Sequence, residues 1–279
     1  MKLSFTKMHG AGNDFVVIDA TRERFRPTPE LLARLSDRRY GVGCDQVLVI
    51  ESPSSPGIDF DYRIFNADGS EVGQCGNGTR ALARFVAEHG LSDKRRLRVQ
   101  TSTATMELQR LDDGQVRVDM GAPRWTPGQI PLALPAADRY RIDTSFGAIE
   151  FGAVSVGNPH ALIRVDDVDT APVEVLGREL QSRRDVFPES VNVGFLQIVD
   201  AQLGRLRVWE RGSGETLACG SGACAAAAVG HRWGGFGERV KLQLRGGELM
   251  LEWSGSEQAS IFMTGPAETV FNGEIEWQQ

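Results

Sequence analysis

The sequence predicts an α/β fold of the α+β kind: two duplicated, pseudo-symmetric domains, each a curled, mainly antiparallel or mixed sheet around a central helix. Three observations carry the prediction. A cysteine-led, glycine-spaced phrase is written twice, as CGNGTRALARF from Cys75 and as CGSGACAAAAV from Cys219. Short runs alternate apolar and polar residues and are rich in β-branched side chains, the mark of strands with one face buried. One helical segment, Gly222 to Gly230, is small and apolar on every side, so it must be enclosed rather than laid on a surface.

The duplication extends well beyond the two cysteines. FNADGSEVGQCGNGTRA (Phe65 to Ala81) lies over WERGSGETLACGSGACA (Trp209 to Ala225) without a gap, matching an aromatic residue, Glu71 with Glu215, and Cys-Gly-x-Gly. Three further landmarks keep the same order and nearly the same spacing. GNDFVVID at Gly12 pairs with GNPHALIR at Gly157, and DQVLVI at Asp45 pairs with VNVGFL at Val191, which sets Gln46 over Asn192. The segments Val99 to Pro123 and Leu242 to Pro266 have equal length and end alike. The copies therefore cover about 1–123 and about 146–266, and the proline-rich stretch Arg124 to Tyr140 reads as a connector. The closing segment Glu268 to Trp277 reads as one more strand or short hairpin that returns to the first copy. The domain boundaries expected from this are 1–121 plus 267–279, carrying Cys75, and 122–266, carrying Cys219.

Within the first copy, strands are expected at DFVVIDA, QVLVIE, DYRIFN, LRVQT, TMELQRL and QVRVDM, with a turn at Asp113-Gly114. The second copy repeats them at ALIRV, FLQIV, RLRVWE, KLQLR, LMLEW and SIFM, with a turn at Gly246-Gly247. Thr28 to Arg39 opens Thr-Pro-Glu and carries a single apolar stripe, so it predicts a surface helix. The enclosed helix after Cys219, and its counterpart after Cys75, would each have a cysteine at the N-terminus.

Composition narrows the function classes. Hydrophobic residues make up 41% and charged residues 24%, an ordinary globular balance, and the net charge of −6 argues against a general nucleic-acid binder. The basic run Asp93 to Arg98 reads as a solvated loop. No apolar run reaches the roughly 20 residues of a membrane span or forms a secretory leader, so the expected location is cytoplasmic. Four cysteines without a CxxC pair point to free thiols rather than a disulfide framework or a zinc ribbon, and Cys44 and Cys224 read as small buried hydrophobes.

A cysteine at a helix N-terminus faces first-turn amides that lack intrahelical acceptors and the positive end of the helix dipole. Glycines beside it let an anion approach the backbone. The same field is expected to lower a thiol's pKa. Two such units meeting at one ligand would supply what a racemase needs: one base to remove a proton from a carbon and one conjugate acid to return a proton on the other face.

At this point the residues resemble a known family. MHGAGNDFVV, NADGSEVGQCGNGTR, GNPH, Val191-Asn192 and ERGSGETLACGSGACA make the chain similar, over essentially its full length, to the diaminopimelate epimerases, which are amino-acid epimerases independent of pyridoxal phosphate. The resemblance implies the two-domain fold above with the active site in a cleft between the domains, interconversion of LL- and meso-diaminopimelate for lysine and cell-wall precursor synthesis, no cofactor, no metal, a small-molecule substrate and a homodimer. It also implies that Cys75 and Cys219 are the two acid/base residues and that the amides at Gly76, Asn77, Gly220 and Ser221 hold the reacting carboxylate. Asn13, Gln46, Asn66, Asn158, Asn192, Glu210 and Arg211 match substrate-contacting positions, and His160 with Glu210 would assist the cysteines. An ordinary ion pair is the alternative for Glu210 and Arg211, and His9, His89 and His231 are given no catalytic part. The rival readings are a proline or hydroxyproline racemase, disfavoured by Asn77 and by the Glu210-Arg211 pair, and a thiol redox or anion-binding protein.

Overall fold

The alternating runs form strands where they were expected, and the chain adds strands that its pattern hides. In a computed structural model, which describes residues 2–73 and 75–276, the chain divides into two units, Met1–Val118 with Gly265–Gln279, and Asp119–Thr264.

The first unit runs β1 (Lys2–Gly10), β2 (Asn13–Ala20), α1 (Pro29–Ser36), β3 (Gln46–Glu51), β4 (Phe60–Asn66), β5 (Glu71–Val72), α2 (Gly76–Glu88), β6 (Arg96–Gln100), β7 (Thr105–Arg110) and β8 (Val116–Asp119). The second runs β9 (Tyr140–Thr144), β10 (Gly147–Ser155), β11 (Pro159–Arg164), α3 (Val173–Ser182), β12 (Asn192–Asp200), β13 (Leu203–Glu210), β14 (Gly214–Thr216), α4 (Gly220–Arg232), β15 (Arg239–Leu244), β16 (Gly247–Glu252) and β17 (Phe262–Gly265). Strand β18 (Glu268–Glu276) then joins the first unit by pairing antiparallel with β1. Trp277, at the end of the strand expected there, lies outside the described residues.

The pairings repeat element by element. β2 with β3 and β4 with β6 are parallel in the first unit, as are β11 with β12 and β13 with β15 in the second. Each parallel pair needs a crossover, and each crossover carries a helix: α1, α2, α3 and α4 in turn. Hairpins supply most of the other pairings. β9 pairs with β10 as β18 pairs with β1, so the stretch read as a connector ends in a strand equivalent to the chain's last one.

Helix α4 explains the all-apolar segment. Residues Gly222 to Gly230 are all buried, and the helix packs against β10, β11, β12, β13, β15 and β16. Alanines leave room for strands on several sides, so enclosure follows from size as much as from polarity. α2 is likewise buried over most of its first three turns, including Arg80, whose guanidinium Nε donates to the Pro266 carbonyl at 3.0 Å. Cys44 and Cys224 are buried and unbridged. Lys94 and Arg98 of the basic run pair with Asp59 and Glu107. No helix among the described residues is long and apolar enough to cross a membrane.

Candidate active site

Both cysteines are helix N-caps. Cys75 stands before α2 and Cys219 before α4, each with extended backbone, and each sulfur accepts the third helical amide at 3.3 Å, from Gly78 and from Gly222. A thiol thus occupies the place where serine or aspartate ordinarily caps a helix. Space excludes a side chain at Gly78 and leaves little room for one at Gly222. A Cβ on Gly78 would collide with the Tyr62 hydroxyl, and one on Gly222 would stand 3.1 Å from Val208 Cγ2 and 3.2 Å from the Cys219 sulfur. The first two amides of each helix, at Gly76 and Asn77 and at Gly220 and Ser221, come ahead of the capped ones, where the backbone geometry of a helix provides no acceptor.

Around Cys75 the neighbours include side-chain amides. Cys75 Sγ lies 4.0 Å from Asn13 Oδ1, which also accepts from Asn77 Nδ2 at 3.2 Å. Asn13 opens β2, and its own Nδ2 donates to Asp45 Oδ2 at 2.9 Å. Asp45 belongs to a charged group with Arg38, Asp14 and Lys7, in which Arg38 bridges the two carboxylates at 2.7 and 2.8 Å. Gln46 and Asn66 form a separate pair: the β3–β4 register sets them opposite each other, and Gln46 Nε2 donates to Asn66 Oδ1 at 3.0 Å. Sequence reasoning missed Tyr62. Its hydroxyl is buried over the α2 cap with no hydrogen-bond partner among the described residues, and burial first, then the nearby Cys75, keep the phenol proton on well above its usual range.

Around Cys219 the neighbours include a charge. Cys219 Sγ donates to Glu210 Oε2 at 3.0 Å, and the Thr216 hydroxyl donates to the other carboxylate oxygen. Glu210 ends β13 and Thr216 ends β14, so the short hairpin between them aims the carboxylate at the cap. Ser221 Oγ lies 3.6 Å from the sulfur, and His160 Nε2 lies 3.1 Å from Ser221 Oγ and 2.9 Å from Asn158 Oδ1. His160 therefore reaches Cys219 through Ser221. Burial, with a smaller push from Arg211, lowers its pKa to about 3, so the ring is neutral at ordinary pH; with Asn158 accepting, the ring proton sits on Nε2. Asn192, which pairs with His160 across β11 and β12, accepts the Arg211 amide at 2.9 Å. The Arg211 guanidinium donates to the Glu189 carbonyl at 2.8 Å and lines a surface hollow with Arg178, Arg184 and Ser190. Glu210 is thus directed at Cys219 while the Arg211 side chain reaches toward Glu189. Thr216 was the second residue that sequence reasoning missed, although it lies inside the ERGSGETLACGSGACA motif.

The thiol acidity expected from the helix field is corrected at Cys219. Its pKa is pushed well above the ordinary thiol value, first by burial and then by the Glu210 carboxylate, which together outweigh the Gly222 amide. In this form Cys219 is a thiol holding its proton against a carboxylate, so the pair is set to donate a proton.

The sequence matches the family model described as diaminopimelate epimerase over residues 5–126 and 152–270. The chain belongs to that family. A relative named diaminopimelate epimerase from Ectopseudomonas mendocina is 52% identical over 276 residues, covering 99% of each chain. One of the same name from Thioalkalivibrio sulfidiphilus is 52% identical over 278 residues, covering 99% of this chain and 100% of the relative. Among solved structures, a hydroxyproline epimerase from Agrobacterium vitis matches with a TM-score of 0.73 at 16% identity, covering 98% of this chain and 92% of that one. A phenazine biosynthesis protein of the PhzF family from Bacillus anthracis matches with a TM-score of 0.71 at 18% identity, covering 99% and 100%. These two share the epimerase family's fold, and at that identity the likeness goes no further than fold.

Proposed function

We propose that the protein epimerises diaminopimelate, interconverting the LL and meso forms by cofactor-independent proton exchange at the α-carbon. The observation that carries the reading is the twice-built cap: a cysteine sulfur on the third amide of a helix, next to first-turn amides suited to a carboxylate. In the reaction one thiolate takes the α-hydrogen as a proton and becomes a thiol. The electron pair left on carbon is delocalised into the carboxylate, whose growing charge the amides of Gly76, Asn77, Gly220 and Ser221 stabilise. The other thiol gives its proton to the opposite face and becomes a thiolate, so the two sulfurs exchange protonation states at each turnover. Cys75 and Cys219 take these roles. Glu210 accepts a hydrogen bond from the Cys219 thiol and so holds that proton in place until Cys219 delivers it, or orients the thiol formed when Cys219 has taken the α-proton, and His160, neutral, steadies Ser221.

Asn13, Gln46, Asn66, Asn158, Asn192, Glu210 and Arg211 are assigned to the substrate, whose distal ammonium and carboxylate suit amides, a carboxylate and a guanidinium. The same reading places the enzyme in lysine and peptidoglycan precursor synthesis in the cytoplasm, as a homodimer. The test is heavy water. Purified protein without pyridoxal phosphate should exchange the α-hydrogen of diaminopimelate for deuterium as the isomers interconvert; substrate recovered without deuterium overturns the proposal.

A further inference from the structure

We infer that Asp45 is a positioning residue for the Cys75 half of the site, because its carboxylate fixes which end of the Asn13 side-chain amide faces Cys75; the inference rests on the reading of Cys75 as an acid/base residue. A side-chain amide has a donor end and an acceptor end, and a carboxylate only accepts. With Asn13 Nδ2 donating to Asp45 Oδ2 at 2.9 Å, Asn13 Oδ1 must point the other way, where Asn77 Nδ2 lies at 3.2 Å and Cys75 Sγ at 4.0 Å.

Asp45 is itself held from three sides. Arg38 Nη2 donates to its Oδ1 at 2.8 Å, the Asp14 amide donates to its Oδ2 at 3.2 Å, and its own amide donates to Asp14 Oδ1 at 2.9 Å. Asp14 is anchored in turn by Arg38 and by the nearly buried Lys7. An exposed aspartate would ordinarily contribute little. Here it ends a chain of charges whose output is the direction of one neutral amide. The consequence is chemical: an oxygen facing the sulfur favours the thiol, whereas an N–H facing it would favour the thiolate. Tyr62 of β4 is one ionisable group beside Cys75, and it stays a neutral phenol.

The test is a double-mutant cycle read by the pH dependence of iodoacetamide labelling at Cys75, followed on its own peptide by mass spectrometry. In Asp45→Asn, the charged Arg38 claims the single oxygen of the new amide, whose NH2 end then faces Asn13 and turns it over. The labelling midpoint should fall by about one pH unit. Loss of the Asp45 charge alone would lower the midpoint too, so the same change is made in Asn13→Ala. If Asp45 acts through Asn13, the shift vanishes in that background. An unchanged midpoint in the single variant, or an equal fall in both backgrounds, overturns the inference. Should Asp45→Asn fail to fold by thermal unfolding, Asp45→Ala in the same cycle should give a smaller shift of the same sign. Labelling does not depend on turnover: a midpoint that moves through Asn13 while epimerisation is untouched keeps the positioning role and refutes the catalytic role of Cys75.

Discussion

The caps of α2 and α4 share a backbone device and differ in almost every side chain around it. Each sulfur accepts a glycine amide at 3.3 Å. Yet by the alignment of the two copies, Glu210 stands where the first has Asn66, Ser221 where it has Asn77, and His160 where it has Phe15. Cys219 consequently sits buried against a carboxylate and holds its proton tightly, whereas Cys75 is half-buried with the Asn13 amide and the Tyr62 phenol nearby. Duplication supplied two equal anion-ready helix ends. Substitution then gave the two thiols unequal surroundings.

The largest expected effect comes from erasing the charge that separates the two caps. Glu210→Gln should lower kcat for epimerisation by about 10²- to 10³-fold, since a group that positions a transferred proton contributes on that scale. At the same time it should bring the pH midpoint of Cys219 labelling down, because the carboxylate opposes the thiolate; the remaining burial should keep it above that of a free thiol. An unchanged midpoint would mean that Glu210 does not act on Cys219.

The next difference is steric. Gly78→Ala drives a methyl group against the enclosed Tyr62 hydroxyl, whereas Gly222→Ala brings one only slightly too close to Val208, whose side chain must give by a few tenths of an ångström. Thermal unfolding should show Gly78→Ala destabilised by about 1–3 kcal/mol and Gly222→Ala by less. The reverse order would show that the α4 cap is the tighter one.

The last difference concerns His160 alone. Its folded pKa of about 3 lies below the ordinary histidine value, so the unfolded chain binds more protons between about pH 6.5 and 3 and stability falls as pH drops through that window. His160→Phe, which restores the residue type of the first copy, should remove up to about 1.4 kcal/mol per pH unit from that slope. Denaturant midpoints measured at pH 7 and pH 4.5 would check it; parallel losses in both proteins would show that His160 is not enclosed as described.

Much of this was legible because the chain says it twice. The repeated cysteine phrase and the all-apolar helix led to the two caps and the enclosed α4, and period-two alternation led to most strands. What escaped had mixed signals. In β1, Thr6 and Lys7 are as buried as their apolar neighbours, so strict alternation is lost, and Lys7 is tolerated there through Asp14. β9 lies behind a proline-rich stretch, and α3 exposes Val175 beside its buried Leu176 and Leu180, which blurs its stripe. At the site, the helix field could be read from position alone. The opposing pull on Cys219 could not, because it depends on a hairpin that brings Glu210 back across nine residues. The role of Asp45 was hidden for the same reason: a donor-acceptor relay is a matter of distances rather than of residue types.

The most direct measurement replaces Cys75 and Cys219 by alanine in separate variants and assays epimerisation from both the LL and the meso isomer. The account predicts that each variant remains folded and loses activity in both directions, by about 10²-fold or more. Full activity in either variant, from either isomer, contradicts it.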